Sequence, residues 1–144
     1  MQDILGTIQA DRSLKKLVQY LEIAGLADVL RGAGPFTLFA PDDAAFARTR
    51  VEEAFEGPEG VRATVRYHLV RGRYGSAELA ALKASTLRTE SGKSLSLIED
   101  EGEVVVDNAR LRRRDIRCTN GVLHVIDNVF QPRLSGWYGD EYGG

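Results

Sequence analysis

The hydrophobic periodicity of the chain changes near Thr86, and this change limits the folds that the chain can adopt. Before Thr86, apolar residues recur every three or four positions, as on one face of a helix; one such set is Leu14, Leu17, Val18 and Leu21. After Thr86, apolar and polar residues alternate, which is typical of half-buried strands; examples are Leu95 with Leu97 and Val104 with Val106. Early helices and late strands predict an α+β fold, with helices on one side of a mainly antiparallel sheet.

Signals for individual elements agree with this division in the first half of the chain. Ser13 and Gly25 are suited to begin and end the first long helix. Residues 36–40 are rich in strand formers and predict a buried strand. Asp42 and Asp43 follow it, and a carboxylate there can accept the unpaired amides at the start of a new helix.

The next predicted helix carries two residues of interest. Residues 51–55 predict a short helical turn, and Pro58 suits the first turn of a helix that carries Tyr67 and His68. The spacing places His68 at the inner face or boundary of that helix. A buried imidazole needs hydrogen-bond partners, and Asp43 is the carboxylate that we expect to bond to it and fix its tautomer.

Turn signals divide the second half into strands. The acidic segment 99–102 predicts a hairpin turn, and 107–108 predicts a second one. A strand over 109–118 follows, and 119–121 predicts the next turn because Asn120 and Gly121 tolerate positive φ. The chain returns as a strand over 122–130. His124 lies on this strand between apolar residues, so we expect it to bond to a turn or a neighbouring strand.

Length and composition indicate one globular domain. The chain has 144 residues, of which 43% are hydrophobic, and no linker interrupts residues 2–132. We therefore expect one domain over 1–133 and a flexible tail over 134–144, which is rich in glycine and aromatic residues. The single cysteine, Cys118, cannot form an intrachain disulfide.

The overall charge argues against a nucleic-acid or membrane protein. Lysine and arginine number 19 against 21 acidic residues, a net charge of -2, so the surface as a whole does not attract polyanions. No apolar run approaches the roughly 18 residues of a membrane span. The start of the sequence lacks the basic and apolar regions of a secretory signal, so a signal peptide is not part of this chain.

Three sequence blocks, in this order, resemble the fasciclin (FAS1) domain family. They are FTLFAPDDAAF at 36–46, YHLV at 67–70, and TNGVLHVID at 119–127 with VFQP at 129–132. The resemblance implies a wedge in which a helical N-terminal half packs on two mainly antiparallel β-sheets. It also implies a secreted or surface-attached adhesion module.

The resemblance further implies partner-binding positions. In animal members, binding is ascribed to a Tyr-His pair and to an Asp-Ile pair just before the last block. Here these positions are Tyr67 and His68, and Asp115 and Ile116. The residues around the Asp-Ile pair differ from the animal pattern, because arginines replace its other flanking residues.

Charge is concentrated in the second half of the chain. Four acids lie at Glu99, Asp100, Glu101 and Glu103, and five arginines follow at Arg110, Arg112, Arg113, Arg114 and Arg117. Cross-strand pairing between the two sets is the simpler interpretation, with about 0–1 kcal/mol for each exposed pair. The alternative is an anion-binding patch for an acidic polysaccharide or a protein partner.

Catalytic and cofactor motifs are weak. Cys118 and His124 permit a nucleophilic Cys-His site, but a thiol within a strand is more typical of a buried, inert cysteine. Two histidines and one cysteine lack metal-site spacing, and no phosphate-binding or dinucleotide motif occurs. We therefore expect no metal and no cofactor.

The sequence thus predicts a non-catalytic adhesion or surface-association module. Its expected location is extracellular, periplasmic or at the cell surface, and its expected partner is a surface or matrix protein or a polysaccharide. Nucleic-acid binding and membrane insertion are not expected. The alternatives are an enzyme that uses Cys118 and His124, and a purely structural spacer.

Overall fold

The computed structural model describes residues 1–49, 57–82 and 85–131. The helical turn predicted over 51–55 and the tail predicted over 134–144 lie outside the described residues. The helices are α1 (Ile4–Gln9), α2 (Lys15–Ile23), α3 (Asp43–Arg48), α4 (Gly57–Arg66) and α5 (Ser76–Ala81), with a 3-10 turn at Val29–Arg31. The strands are β1 (Phe36–Pro41), β2 (Leu69–Arg71), β3 (Ser85–Arg88), β4 (Ser94–Asp100), β5 (Glu103–Val106), β6 (Ala109–Cys118) and β7 (Gly121–Ile126). Among the described helices, none is long and apolar enough to cross a bilayer.

The strands form one hydrogen-bonded series in the order β2-β1-β7-β6-β5-β4-β3. β1 and β7 run parallel, and the other neighbours are antiparallel. The two predicted sheets are joined by β6, because its first residues pair with β5 while Leu111 onward pairs with β7. The predicted α+β architecture is therefore present, with a continuous ladder across the two sheets.

Two hydrophobic cores lie on opposite faces of the central strands. On β1, Leu38 and Ala40 belong to a core shared with α1 to α4, which we call the helical core. Phe39 belongs to a second core with Tyr67 and Phe130, which we call the sheet core. Because successive side chains of a strand point to opposite faces, one central strand serves both cores.

Carboxylates accept amides at the start of α1, α3 and α5, and at α2 the carboxylate comes from a distant segment. Asp42 accepts the amide of Ala45 at 2.8 Å and begins α3, as predicted. The predicted role of Ser13 is wrong, because α2 begins at Lys15 without a side-chain cap from its own segment. Asp43 supplies the acceptor instead, at 2.9 Å from the Lys16 amide. A residue 27 positions away thus satisfies one of the unpaired amides of α2.

Two element boundaries differ from the prediction. Helix α4 ends at Arg66, so Tyr67 and His68 lie beyond it, and β2 follows as the edge partner of β1. Strand β7 ends at Ile126 rather than at residue 130. The ladder stops there because a side chain, the Asp127 carboxylate, accepts the Arg110 amide at 2.8 Å, and the Phe130 amide bonds to His68.

The predicted hairpin turns are confirmed. The β4–β5 turn consists of Glu101 and Gly102, with φ of 53° and 80°. Positive φ at both positions matches the twist of a two-residue hairpin. The β5–β6 turn contains Asp107, with φ of 52°. Asp107 also accepts the Ser96 amide at 2.7 Å, which ties this turn to β4.

Candidate functional site

Tyr67 is fully buried in the sheet core. Its hydroxyl donates to the Asp107 carboxylate at 2.6 Å and lies 3.1 Å from the Ser94 carbonyl oxygen. Its ring meets the edge of Phe130, with centroids 5.9 Å apart. Tyr67 therefore links the residues after α4 to the turn of the β5–β6 hairpin.

His68 is 2% exposed and has both ring nitrogens engaged. The Phe130 amide can only donate, so Nε2, at 2.9 Å, is the acceptor. Nδ1 therefore carries the proton and donates to the Thr64 carbonyl at 2.7 Å. The ring stacks on Phe130 with centroids 4.6 Å apart. Burial lowers the pKa of His68 to about 4, so the imidazole is neutral near pH 7.

These contacts correct one expectation about the Tyr-His pair and bear on a second. The predicted hydrogen bond between Asp43 and His68 is wrong, because the partners of His68 are Thr64 and Phe130. Asp43 bonds to the α2 amide of Lys16. The expected contact of Tyr67 and His68 with a partner stays a prediction, and the enclosure of both side chains by the core argues against it in the folded domain.

Asp115, in contrast, lies on an exposed bulge of β6. The register with β7 shifts between Arg113 and Ile116, and Asp115 has a φ of 58°. Its carboxylate accepts the Ser76 amide at 2.7 Å and the Ser76 hydroxyl at 2.5 Å. Partial burial raises the pKa of this carboxyl. The two hydrogen bonds from Ser76, together with the electrostatic effects of His124 and Arg114, outweigh the burial, and the pKa is lowered. The bulge thus directs Asp115 onto the first residue of α5.

Gly75 makes room for this contact. A Cβ atom at Gly75 would lie 2.9 Å from Oδ1 of Asp115 and 2.8 Å from Oε1 of Glu78. Glu78 accepts the Gly75 amide at 2.8 Å. Two carboxylates, those of Glu78 and Asp115, therefore accept amides at the start of α5.

Ile116, the residue after Asp115, is half-buried against the helical core.

His124 supports the same bulge from the core. Its Nδ1 accepts the Asp115 amide at 3.1 Å, and its Nε2 donates to the Tyr74 carbonyl at 2.8 Å. The predicted bond to a neighbouring strand is thus confirmed. Burial lowers the pKa of His124, so the neutral ring is favoured.

The predicted turn is present at Thr119 and Asn120, but Gly121 is the first residue of β7, and neither Asn120 nor Gly121 has the expected positive φ. Both residues also hold other segments of the fold. Oδ1 of Asn120 accepts the Ile4 amide at 2.9 Å. Nδ2 donates to the carbonyls of Leu30 at 2.6 Å and Gly32 at 2.8 Å. Gly121 lies so close to β1 that a Cβ atom would be 2.0 Å from the Phe36 carbonyl oxygen. No local sequence pattern predicts the bonds from Asn120 to the Leu30 and Gly32 carbonyls or the close approach of Gly121 to β1.

The five arginines of β6 divide into three environments. Arg110 pairs with Asp100 and with Glu103, so the predicted cross-strand pairing is confirmed for this residue. Arg112 pairs with Asp42 at 2.9 Å, and Arg113 pairs with Asp11 at 2.7 Å. The exposed residues Arg114 and Arg117 have no ion pair within the described part of the chain.

An open cleft of about 520 Å³ lies where the β6 bulge meets α5. Its lining includes Arg73, Ser76, Glu78, Asp115, Arg117 and Val122. Of the predicted site residues, the cleft brings together only Asp115 and Arg117. Nη1 of Arg73 donates to the Gly121 carbonyl at 2.7 Å, which holds this guanidinium over the β6–β7 turn.

Comparison with known families identifies the fold and its relatives. The Fasciclin domain model matches residues 12–132. The chain belongs to the fasciclin family. A Synechocystis protein described as uncharacterised, sll1735, is 35% identical over 132 residues, which are 90% of this chain and 97% of the relative. Human periostin is 27% identical over 128 residues, which are 87% of this chain but 15% of periostin.

A solved structure agrees with the assignment. The FAS1 domain pair of the insect cell adhesion molecule Fasciclin I matches this fasciclin domain with a TM-score of 0.75 at 21% identity. The match covers 92% of this chain and 52% of the pair. This likeness shows the fold.

Sequence analysis of this fasciclin domain missed Glu78 and Val122 of the cleft, and it also missed Arg73 and Ser76. Arg73 and Ser76 lie in a short segment of glycine and polar residues, GRYGS at 72–76, which has no hydrophobic period. A lone arginine near two glycines does not indicate a site. The pairing of β2 with β1, of β1 with β7 and of β7 with β6 brings this segment to Arg117.

Proposed function

We propose that this fasciclin domain is a non-catalytic surface-association module of the adhesion type. It acts outside the cytoplasm, in the extracellular space, the periplasm or at the cell surface, and it binds a protein or a polysaccharide. The observation that carries the proposal is a division of the polar side chains. His68 and His124 are used inside the fold, whereas residues 112–115 of β6 face solvent.

Family membership supports the adhesion role. The solved relative in the comparison is described as a cell adhesion molecule. It shares the α+β architecture with this domain but only 21% of residues. We therefore extend only surface association from the relatives to this domain. The partner that it binds depends on the residues of its own surface.

The contacts of Cys118 and His124 argue against the enzyme alternative. Cys118 is buried, its Sγ lies 3.4 Å from Oγ1 of Thr7, and burial raises the pKa of the thiol. A nucleophilic thiolate needs a base that can take its proton. Both nitrogens of His124 are bonded to backbone groups of Asp115 and Tyr74, so His124 does not serve as that base.

Thiol labelling tests this argument. We expect Cys118 of the native domain to react with a chromogenic disulfide at least about tenfold more slowly than the same protein in denaturant, because only a thiolate that the reagent can reach attacks the disulfide. Equal rates in both states would favour the enzyme alternative.

Binding to isolated surface material of the host organism tests the proposed function. The purified domain should show saturable retention on cell-wall or matrix fractions, and a fold-disrupted Gly121→Val variant should lose it. Retention of neither protein would favour a spacer over an adhesion module. Competition with soluble protein and polysaccharide fractions then assigns the partner class.

A further inference from the structure

The cleft between the β6 bulge and α5 places two cations beside one opening. Arg73 is held over the β6–β7 turn by its bond to the Gly121 carbonyl, and Arg117 pairs with Val122 on the adjacent strand. Both arginines are exposed. Neither has an ion pair within the described residues. A guanidinium has five N–H donors, so each retains donors for a ligand.

The acids of the cleft are already committed to the protein. Both oxygens of Asp115 accept from Ser76, and Oε1 of Glu78 accepts from the Gly75 amide. These bonds hold the carboxylates at the start of α5 rather than on the arginines. The cleft therefore presents fixed carboxylates and unpaired guanidinium groups at the same time.

We propose that this cleft binds a uronate unit of an acidic polysaccharide. The inference rests on the proposed surface-association function and names the partner class of that function. One or both guanidinium groups of Arg73 and Arg117 bind the sugar carboxylate, for which the planar fork of arginine is suited. Ring hydroxyls donate to Oε2 of Glu78, because Oε1 is the oxygen that accepts the Gly75 amide.

The mixture of charges favours a uronate over a more densely charged anion. Asp115 and Glu78 repel a sulfate or phosphate cluster. The acceptor sites that Ser76 and Gly75 leave unused on these carboxylates can take hydrogen bonds from the hydroxyls that accompany each sugar carboxylate. The volume of about 520 Å³ lies in the range of small-molecule clefts and accommodates a sugar unit. Val122 adds an apolar contact for the ring.

Titration with oligogalacturonate tests the proposal on the whole chain, with dextran as the uncharged glycan and polyglutamate as the carboxylate-bearing peptide. We expect saturable binding to oligogalacturonate and at least about tenfold weaker binding to the other two. Arg117→Gln and Arg73→Gln should each weaken oligogalacturonate binding about tenfold, the effect of losing a charge-assisted bond. Arg117→Lys should also weaken it, because lysine keeps the charge but loses the fork.

Arg114→Gln is the matched control, because it removes the same charge from the same strand outside the cleft lining. It should leave oligogalacturonate binding within about twofold. An equal loss for Arg114→Gln, or equal binding to polyglutamate, overturns the proposal in favour of general charge attraction. Thermal unfolding of every variant identifies losses that come from misfolding. Arg117→Gln then decides the question, because the Arg117 side chain makes no hydrogen bond or ion pair with the described part of the chain.

The assay on host surface material separates this proposal from the proposed function. If the Arg73→Gln/Arg117→Gln double variant still binds the material as the wild type does, the cleft assignment is wrong and the surface function stands. If the wild type does not bind the material, the surface function itself is wrong.

Discussion

The Tyr67–His68 pair and the Asp115–Ile116 pair occupy opposite environments, although the family resemblance assigns partner binding to both. Tyr67 and His68 are enclosed in the core. Asp115 is exposed on a β-bulge. Yet His68 and Asp115 each bond to a backbone amide of another segment, at Phe130 and at Ser76. Both pairs therefore fasten the fold, and only the second also borders a surface that a partner can reach.

Among the residues compared, truncation of Tyr67 should cause the largest loss of stability. Tyr67→Ala removes a buried ring and its bonds to Asp107 and Ser94, so the free energy of unfolding should fall by about 3–5 kcal/mol. Urea unfolding measures the loss. Ile98→Ala is the control, because Ile98 is 51% exposed and its truncation should cost less than about 1 kcal/mol. A small loss of unfolding free energy for Tyr67→Ala, together with weaker surface binding, would indicate that Tyr67 contacts a partner.

Removal of His68 should cost less but should depend on pH. His68→Ala leaves the Phe130 amide without its acceptor and creates a cavity, so we expect a loss of about 3 kcal/mol near pH 7.5. Urea unfolding at a series of pH values measures it. A loss below about 0.5 kcal/mol at this pH would show that the imidazole does not fasten the segment after β7.

The sign of the pH effect follows from the lowered pKa of His68. The unfolded chain binds a proton with a pKa of about 6.5, whereas folded His68 does so only at about 4. Stability from neutral His68 is therefore complete above about pH 6.5 and is lost as the pH falls toward 4, by about 3 kcal/mol in total. Burial lowers the pKa of His124 as well, so it adds to the loss. The difference between wild type and His68→Ala should shrink over this range, and a constant difference would contradict the assigned protonation.

The fold was largely predictable from sequence, but the functional geometry was not. The change of period at Thr86 and the turn at Glu101 and Gly102 are local signals, and the structure confirms both. The partners of Asp43 and His68 were not predictable, because Asp43 bonds to Lys16 and His68 to Phe130, 62 positions away. Long-range pairing of polar atoms leaves no periodicity in the chain.

The buried environment of Tyr67 and His68 was not predictable for a related reason. A Tyr-His pair at the end of a helix has the same sequence pattern whether the next strand covers it or leaves it open. The edge strand β2, only three residues long, has no alternation that could reveal it. Its pairing with β1 sets the environment of Tyr67 and His68.

Substitution of Asp115 should have an intermediate effect. Asp115→Ala removes the acceptor for the Ser76 amide and hydroxyl and places alanine at a φ of 58°, so we expect a loss of about 1–2 kcal/mol. Asp115→Asn keeps an acceptor oxygen and tolerates the left-handed backbone, so it should lose less than about 1 kcal/mol. Thermal and urea unfolding measure both variants. If Asp115→Ala matches the wild type in stability, its role at the start of α5 is wrong.

Substitution of the paired arginines Arg112 and Arg113 should have the smallest effects on stability. These substitutions test which charges of β6 are available to an external anion. Arg112 and Arg113 are about half exposed and pair with Asp42 and Asp11, so each substitution by glutamine should change the free energy of unfolding by less than about 1 kcal/mol. Their charges are also partly neutralised toward an external anion.

Salt elution from a sulfated-glycan column tests this neutralisation. We expect Arg112→Ala/Arg113→Ala/Arg114→Ala to elute only slightly earlier than Arg114→Ala alone, because Arg114 is the residue of the three without an ion pair among the described residues. Removing Arg112 and Arg113 also frees Asp42 and Asp11, which adds some repulsion of the glycan. A triple variant that elutes at far lower salt than the single variant would show that paired and unpaired arginines bind alike. The β6 strand would then act as one continuous cationic surface, and the pairing of Arg112 and Arg113 with carboxylates would not govern glycan binding.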